Sequence, residues 1–412
     1  MKNGWTGGQY SLYRAIFGLY LFIHFLFLLP WAREIFSNRG ALPDARLSPL
    51  TYAFANLLAV VDFPAFVQGF ILLGAILSLF FLIGKWDKVA AIGIWYIWAC
   101  LLGRNPLISN PSIPFIGWLL LAHQVVPGAP YGSRAAAERV DPSEWKLPPM
   151  IFLFAWIIMA AGYSYSGYTK LLSPSWTDGT ALMRVLQNPL ARPGFVHDFL
   201  LTFPPVCLKL ATWGALALEL LFAPLALFRV TRPWIWLAMT ILHLGLVLMI
   251  NFADLTAGML LLHFFTFDPA WVPPIKVTGT ARIFYDGQCG LCHRTVRFVL
   301  AEDRTGTTFR FAPLQSDVCQ NVLSKEEHAD VPDSVVVATA DGKLQFRSAA
   351  ILYIFKRLGG VWRIVAIIVE LIPSILRDAV YDFIGRIRYQ LFRRPTDACP
   401  VIAPSLRDRF DF

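Results

Sequence analysis

Apolar segments close to the length of a membrane span dominate the first two thirds of the sequence. A transmembrane helix takes about 20 apolar residues. By that measure the candidates are Ser11–Trp31, Phe66–Gly84, Val89–Leu102, Ile113–Val126, Met150–Thr169, Val206–Phe228, Trp234–Ile250 and Leu255–Phe267. The third, fourth and eighth are short, which leaves the parity of the count open. We therefore predict a polytopic α-helical membrane domain over residues 1–274, with about eight transmembrane helices.

Composition supports this prediction and excludes other classes. Hydrophobic residues make up 56% of the chain and charged residues only 15%, which a soluble protein does not show. The net charge is +9, yet no basic run or nucleic-acid motif accompanies it, so we expect membrane lipid and no nucleic acid as partner. The stretch from Leu12 to Leu29 reaches spanning length, so we interpret it as the first membrane helix and not a cleaved signal.

The distribution of positive charge favours one orientation. If the amino end is cytoplasmic and there are eight spans, the basic loops on the inside contain Lys85, Lys88, Arg134, Arg139, Lys146, Arg229 and Arg232. Longer loops with Arg33, Arg39, Arg46, Arg184 and Arg192 would then lie outside. We expect an integral protein of a bacterial inner membrane, with its carboxyl-terminal region in the cytoplasm.

After Pro273-Pro274 the sequence takes on the pattern of an α/β domain, residues 275–412. The predicted elements are a strand at Arg282–Tyr285, a helix at Cys289–Glu302, strands at Phe309–Ala312 and Ser334–Thr339, a hairpin turn at Asp341-Gly342 and a helix at Ser348–Leu358. This order predicts a thioredoxin-like fold. The tail, Trp362–Leu391, is predicted to be helical and to pack on its own domain, with docking at the membrane surface as the alternative.

Two cysteines lie where the first strand of this domain meets its first helix. Cys289 and Cys292 fall in the first helical turn, where free amides and the helix dipole stabilise a thiolate. Their spacing allows a redox-active disulfide that can open and close. The alternative is half of a zinc site, but zinc needs a second closely spaced pair, and Cys319 and Cys399 stand alone. We therefore predict a redox dithiol and no metal.

Three further residues of this domain have two interpretations each. Asp286 is either a helix cap or a proton acceptor, and we include it among the catalytic residues. Pro332 is either the cis-proline that faces the dithiol in thioredoxin-like proteins or an ordinary proline before a strand. Cys399 is either a resolving thiol or an idle cysteine.

The carboxyl-terminal motifs resemble those of the DCC family, which is named after its Asp-x-x-Cys-x-x-Cys signature. They are Tyr285-Asp-Gly-Gln-Cys-Gly-Leu-Cys-His-Arg294, Phe311-Ala-Pro-Leu-Gln315, Asp341-Gly342, Ser348-Ala349 and Tyr381-Asp-Phe-Ile-Gly-Arg-Ile-Arg-Tyr389. The resemblance implies a thioredoxin-like fold and thiol–disulfide oxidoreductase activity. It assigns that activity to Asp286, Cys289 and Cys292.

Ionisable residues recur within the membrane segments. Lys170 ends one segment, Glu219 lies well inside another, and His243 and His263 lie in the last two. A lysine at a helix end commonly reaches the interface, but a buried membrane charge is costly and usually pairs or serves a site. His24 and His123 are interpreted as core histidines whose hydrogen bonds are satisfied.

The membrane region from about Arg14 to Pro273 resembles the HTTM family, the membrane module of vitamin K-dependent γ-glutamyl carboxylase. The matching parts are Tyr168-Thr-Lys170 through Trp176 and Gly179, Gly214–Arg229, and His243 through Asp268-Pro-Ala-Trp271. The resemblance implies that Lys170 acts as a base toward a reduced quinone. The large lumenal domain of the carboxylase has no counterpart, so a quinone pocket near Lys170, Glu219 and His243 is the feature that we carry over.

Three functions follow from these observations. The first is an integral membrane thiol–disulfide oxidoreductase that exchanges electrons with a thiol or disulfide of a protein or small molecule, coupled to menaquinone, ubiquinone or a vitamin K-like quinone. The second is a quinone-dependent, carboxylase-like enzyme that modifies a peptide or lipid. The third is a non-enzymatic scaffold or transporter. The first is favoured because a perturbed, partly exposed dithiol has a definite chemical use.

Overall fold

The computed structural model describes residues 3–138, 145–251, 253–322, 335–392 and 404–411. Contacts divide the chain into two compact units. The first contains Tyr13–Val126 and Pro148–Phe267, and the second contains Lys2–Leu12, Pro127–Leu147 and Asp268–Phe412. The second unit therefore includes two segments that precede residue 274, the position at which the sequence pattern divides the chain.

The first unit is helical. The helices of the amino-terminal part are Gly7–Leu28, Ala32–Phe36, Pro64–Ile83, Asp87–Arg104, Ile113–Val125, Pro149–Lys170, Pro174–Thr177, Ala181–Leu186, Phe195–Leu201, Pro205–Leu227, Arg232–Met249 and Ala253–Thr266. Five stretches within the described residues are long and apolar enough to cross a membrane: Gly7–Phe36, Pro64–Ile83, Pro149–Lys170, Pro205–Leu227 and Arg232–Met249.

A helix lies in each of the eight segments expected from the sequence, but not every helix qualifies as a span. Ile113–Val125 and Leu255–Thr266 are apolar and short. Asp87–Arg104 has charged residues at both ends, including Lys88. The structure thus supports five candidate spans, and a total of eight stays a prediction.

The long apolar helices have one face packed inward and one face open. In Pro64–Ile83, the buried face includes Ile71 and Phe81, whereas Leu72 and Leu73 are each 45% exposed. Exposed leucines on an otherwise apolar helix are expected where the surroundings are lipid and not water. This pattern agrees with an integral membrane protein whose helices contact lipid.

The second unit contains a four-stranded sheet. Its strands are β1 (Ala281–Tyr285), β2 (Phe309–Pro313), β3 (Val336–Ala338) and β4 (Leu344–Gln345), in the order β2-β1-β3-β4. Strand β1 pairs in parallel with β2 and antiparallel with β3, and β3 pairs antiparallel with β4. This small mixed sheet is consistent with the predicted thioredoxin-like fold.

The pleat of β1 builds a core on each face of the sheet. Ile283 and Tyr285 point to one face and pack with Cys289, Cys292 and Val296. Phe284, the residue between them, belongs to a smaller cluster on the opposite face. Successive side chains of a strand alternate between faces, so one strand supports both layers.

The helices Gly290–Glu302, Asp317–Val322 and Arg347–Leu358 contact this sheet. Two further helices, Gly360–Glu370 and Ser374–Leu391, pack on Arg347–Leu358. We call Gly290–Glu302 the dithiol helix and Ser374–Leu391 the last helix. The tail predicted as helical, Trp362–Leu391, is helical as two helices that are interrupted at Pro373. Proline has no amide hydrogen and restricts the residue before it, so it ends one helix and begins the next.

The last helix packs on its own domain, as predicted. Ser348 Oγ donates a hydrogen bond of 2.5 Å to Asp378, and the Val335 amide donates one of 3.1 Å to the hydroxyl of Tyr381. Residues 404–411, to which the sequence pattern assigned no structure, form a bridge between Phe311 and Phe410 beside β2.

The carboxyl end of the dithiol helix is joined to the first residues of the chain. Glu302 is 2% exposed and accepts hydrogen bonds from the Gly8 amide at 2.8 Å, from Trp362 Nε1 at 2.5 Å and from the hydroxyl of Thr6. These donors satisfy a carboxylate that would otherwise be buried at high cost. Glu302 thereby holds three separate segments of the second unit together.

Candidate functional site: a buried dithiol beneath the last helix

The dithiol lies at the amino end of the dithiol helix, as the sequence predicts. Strand β1 ends at Tyr285, and the amide of Cys289 donates a 3.2 Å hydrogen bond to the carbonyl of Asp286, which turns the chain into the helix. Cys289 occupies the N-cap position and Cys292 lies in the first turn. Both are free thiols, 1% and 4% exposed.

The pKa values of the two thiols are shifted in opposite directions. The Cys292 side chain hydrogen-bonds the Cys289 sulfur, and together with the backbone amides of Cys292 and Leu291 it lowers the pKa of Cys289 to about 6, against the effect of burial. The same hydrogen bond and burial raise the pKa of Cys292 above its usual value. At neutral pH, Cys289 is therefore the thiolate and Cys292 the thiol.

Arg388, from the last helix, reaches the loop before the dithiol, a contact that the sequence pattern did not predict. Its Nη2 lies 3.8 Å from Asp286 Oδ2, and both side chains are over 90% buried. Its positive charge also contributes to the low pKa of Cys289. The signal was present, because Arg388 belongs to a motif that carries the DCC resemblance, but only the fold shows that this motif meets the dithiol.

Asp286 shapes the loop before the helix. Its Oδ1 accepts a 2.9 Å hydrogen bond from the amide of Gln288, which precedes the helix, so this contact closes a turn and does not cap the helix. His293 supports the same loop, since its Nε2 lies 2.9 Å from the carbonyl of Gly287. The carboxylate of Asp286 thus combines a loop contact with the ion pair to Arg388.

In the membrane part, two of the predicted residues meet directly. The Lys170 ammonium contacts both carboxylate oxygens of Glu219. Their helices, Pro149–Lys170 and Pro205–Leu227, approach closely at Gly167, where an added Cβ would lie 2.7 Å from the amide of Leu220. Lys170 Nζ also lies 4.5 Å from the ring centre of Trp176. Lys170 therefore pairs with the acid instead of ending in solvent.

His243 belongs to a neighbouring polar contact. The hydroxyl of Tyr163 lies 2.7 Å from Nε2 of His243 and 2.7 Å from Nε2 of His263. Thr240 Oγ1 lies 3.1 Å from the other ring nitrogen of His263. Sequence reasoning named both histidines but not Tyr163, because a tyrosine in an apolar helix has no distinguishing pattern.

The remaining candidates are structural or lie elsewhere. Cys319 is buried in the smaller core cluster, and burial raises its pKa to about 11. His123 is 4% exposed and lies 3.1 Å from Asp87, in agreement with a satisfied core histidine. Pro332 and Cys399 fall outside the described residues. Within those residues, no group of three or more His, Cys, Asp or Glu side chains could hold a metal ion.

Comparison with known proteins places the dithiol in a family. The model of the DCC1-like thiol-disulfide oxidoreductase family matches residues 283–394. The uncharacterized protein YuxK of Bacillus subtilis is 32% identical over 128 residues, which cover 91% of that protein and 31% of this chain. The chain belongs to the DCC family.

A second DCC protein extends the comparison. A chloroplastic DCC family protein of Arabidopsis thaliana is 31% identical over 117 residues, which cover 67% of that protein and 28% of this chain. No solved structure matches. The DCC match includes Asp286, Cys289, Cys292 and Arg388 but none of the membrane helices, so the HTTM resemblance of those helices stays a prediction.

Proposed function

We propose that this DCC protein is an integral membrane thiol–disulfide oxidoreductase with Cys289 as the nucleophile. The observation that carries the proposal is the pairing of a Cys289 thiolate, whose pKa is about 6, with a protonated Cys292 in the same helical turn. A low-pKa thiolate is the reactive form in exchange, and a neighbouring thiol is needed to resolve the product.

The reaction proceeds in two balanced steps. The Cys289 thiolate attacks one sulfur of a substrate disulfide, forms a mixed disulfide and expels the other sulfur as a thiolate. Cys292 then loses its proton and attacks Cys289, which releases the second substrate thiolate and leaves a Cys289–Cys292 disulfide. Two electrons pass to the substrate. Asp286 is our candidate for the proton acceptor.

Replacement of single cysteines tests this mechanism. Purified full-length Cys289→Ser should lose reduction of insulin or glutathione disulfide, whereas Cys292→Ser should accumulate the mixed disulfide, detected by mass spectrometry. Cys207→Ser is the matched control, since Cys207 is exposed and lies in the other unit. Full exchange activity in Cys289→Ser would contradict the proposal.

A quinone site in the membrane helices is the second candidate. It is supported by the partly buried contact of Lys170 with Glu219 and by the contact of Tyr163 with His243, because such groups in apolar helices usually serve a site. Lys170, Glu219 and His243 would hold the quinone, which would accept or supply the two electrons of the dithiol. Added menaquinone or ubiquinone should then change the redox state of Cys289 in a Lys170-dependent manner.

Two other functions predict different results. A carboxylase-like or other modifying enzyme would leave new carboxyl groups or oxygen atoms on membrane peptides or lipids, which mass spectrometry of depleted and control membranes would detect. If the protein is a scaffold or transporter, the Cys289→Ser/Cys292→Ser double variant should fully complement cells that lack the protein.

Labelling of an Asp341→Cys variant by an impermeant reagent, in intact and broken cells, tests the cytoplasmic position of the domain.

A further inference from the structure

An apolar groove of about 440 Å³ lies beside the dithiol. Cys292 lines it, together with Leu291, Ile351, Val380 and Ile384. Its volume falls in the range of sites that hold one small molecule. Cys289 does not line the groove, but Cys292 does and its side chain hydrogen-bonds Cys289, so a molecule in the groove lies next to the pair.

A cation lies in this apolar wall without a matching anion. Nε and Nη1 of Arg377 are buried and have no hydrogen-bond partner among the residues that the structure describes. The next residue, Asp378, bonds instead to the hydroxyl and amide of Ser348. A guanidinium stays charged at all physiological pH values, so unpaired buried nitrogens of this kind favour an anionic ligand.

The other charges do not supply that anion. Arg388 also lines the groove and is paired with Asp286. The described lining residues include no aspartate or glutamate. The groove therefore combines apolar walls with the unpaired Arg377 guanidinium nitrogens and the Cys292 side chain, and it favours an anionic ligand over a cationic one.

We propose that this groove binds the disulfide substrate, and that the substrate is a small molecule with an apolar body and a carboxylate that Arg377 receives. The proposal rests on the proposed function, because the bound disulfide is the oxidant of the dithiol. Two electrons pass from the dithiol to the substrate, its S–S bond breaks, the Cys289–Cys292 bond forms, and the proton of Cys292 passes to Asp286 as the second thiolate product leaves.

Single-turnover kinetics of the reduced full-length protein in lipid nanodiscs test the charge preference. The probes are dithionitrobenzoate, an aryl disulfide with carboxylates; dithiodipyridine, a neutral aryl disulfide; and cystamine, a cationic aliphatic disulfide. Arg377→Gln should slow the reaction with dithionitrobenzoate about tenfold, the loss of one charged hydrogen bond, and leave the other two probes within about twofold. Arg377→Lys should restore part of the loss.

A second variant tests the apolar wall. Val380→Asp should slow both aryl disulfides and spare cystamine, which serves as the internal control for a folded dithiol site. If Val380→Asp also slows cystamine, Ile384→Ser takes its place. Equal effects on all three probes in both Arg377→Gln and Ile384→Ser, or no effect on any, would overturn the groove as the binding site.

The outcomes separate this proposal from the proposed function. If the unmodified protein reduces none of the probes, the oxidoreductase function itself fails. If exchange proceeds and requires Cys289 but is insensitive to the groove variants, only the groove proposal fails. If Arg377→Gln slows insulin reduction but not dithionitrobenzoate, the ligand is carried on a protein and the small-molecule assignment is overturned.

Discussion

Arg388 Nη2 lies 3.8 Å from Asp286 Oδ2, so the last helix of the domain brings a charge to the loop that begins the dithiol motif. The pair is buried, and the positive charge of Arg388 lowers the pKa of Cys289. Reactivity of the dithiol therefore depends on correct docking of the last helix.

Removal of this charge should reduce the reactivity of Cys289. In Arg388→Gln the pKa of Cys289 rises, because a nearby cation no longer stabilises the thiolate. We expect alkylation by iodoacetamide at pH 6 to slow by about two- to threefold, since the rate follows the thiolate fraction. Lys343→Gln removes the same charge at the exposed hairpin turn and should leave the rate unchanged. An unchanged rate in Arg388→Gln would contradict this role.

The pH profile of Cys289 should reflect its hydrogen bond from Cys292. Alkylation should rise with pH, reach half its maximum near pH 6 and level off above neutrality. In Cys292→Ala the midpoint should move upward, toward the usual thiol value, because the hydrogen bond that contributes most to the low pKa is gone. Because the folded pKa is lowered, the reduced protein should also lose stability as the pH falls from about 9 to about 6. A midpoint that stays near pH 6 without Cys292 would refute this explanation.

Glu302 should be a major determinant of stability in the second unit. Glu302→Ala leaves the donors of Thr6, Gly8 and Trp362 without their acceptor, which we expect to cost about 3 kcal/mol of unfolding free energy. Hydrogen exchange of the dithiol helix in the full-length protein measures the loss. Glu370→Ala breaks an exposed ion pair with Lys356 and should cost less than about 1 kcal/mol. Equal effects of the two variants would argue against the role of Glu302.

Burial also raises the pKa of Glu302, which predicts the direction in which stability changes with pH. A raised folded pKa means that the folded state binds the proton more tightly than the unfolded state. The contribution to stability is thus fully present at low pH and is lost as the pH rises through the folded pKa. Glu302→Gln should remove this part of the pH dependence in the same exchange measurement.

Lys170 and Glu219 should behave as a coupled pair. Lys170→Met leaves the buried Glu219 carboxylate without its cation, which we expect to cost about 3–5 kcal/mol of unfolding free energy. Glu219→Leu leaves the Lys170 ammonium without its anion. The Lys170→Met/Glu219→Leu double variant should recover most of this loss in thermal unfolding in nanodiscs. Additive losses would show that the contact carries little energy. If the double variant is stable yet its dithiol no longer responds to quinone, the pair has a function beyond stability.

The local signals in the sequence were sufficient for the dithiol. A β-prone run, the Asp286-Gly287 turn and a helical pattern after Cys292 placed both cysteines at a strand-to-helix junction, because each signal acts over a few residues. Pro373 is an equally local signal, and it divides the helical tail into two helices. Arg388, Tyr163 and Glu302 were not predictable in the same way, since their roles arise from segments that meet only in the folded chain. The number of membrane spans could be predicted only in part. Apolar segments predict helices, but whether a helix crosses the membrane also depends on its length.

The contacts of Glu302 with Thr6 and Gly8 have a consequence for the order in which the protein can mature. Thr6 and Gly8 are synthesised before the apolar helices and Trp362 after them, and a domain completes its packing only when all its segments are available. The packing at the carboxyl end of the dithiol helix is therefore completed late in biogenesis. Thr6 and Gly8 lack their acceptor, Glu302, while the apolar helices between them are synthesised. These contacts of Glu302 can form only after the whole stretch from Thr6 to Trp362 has been synthesised.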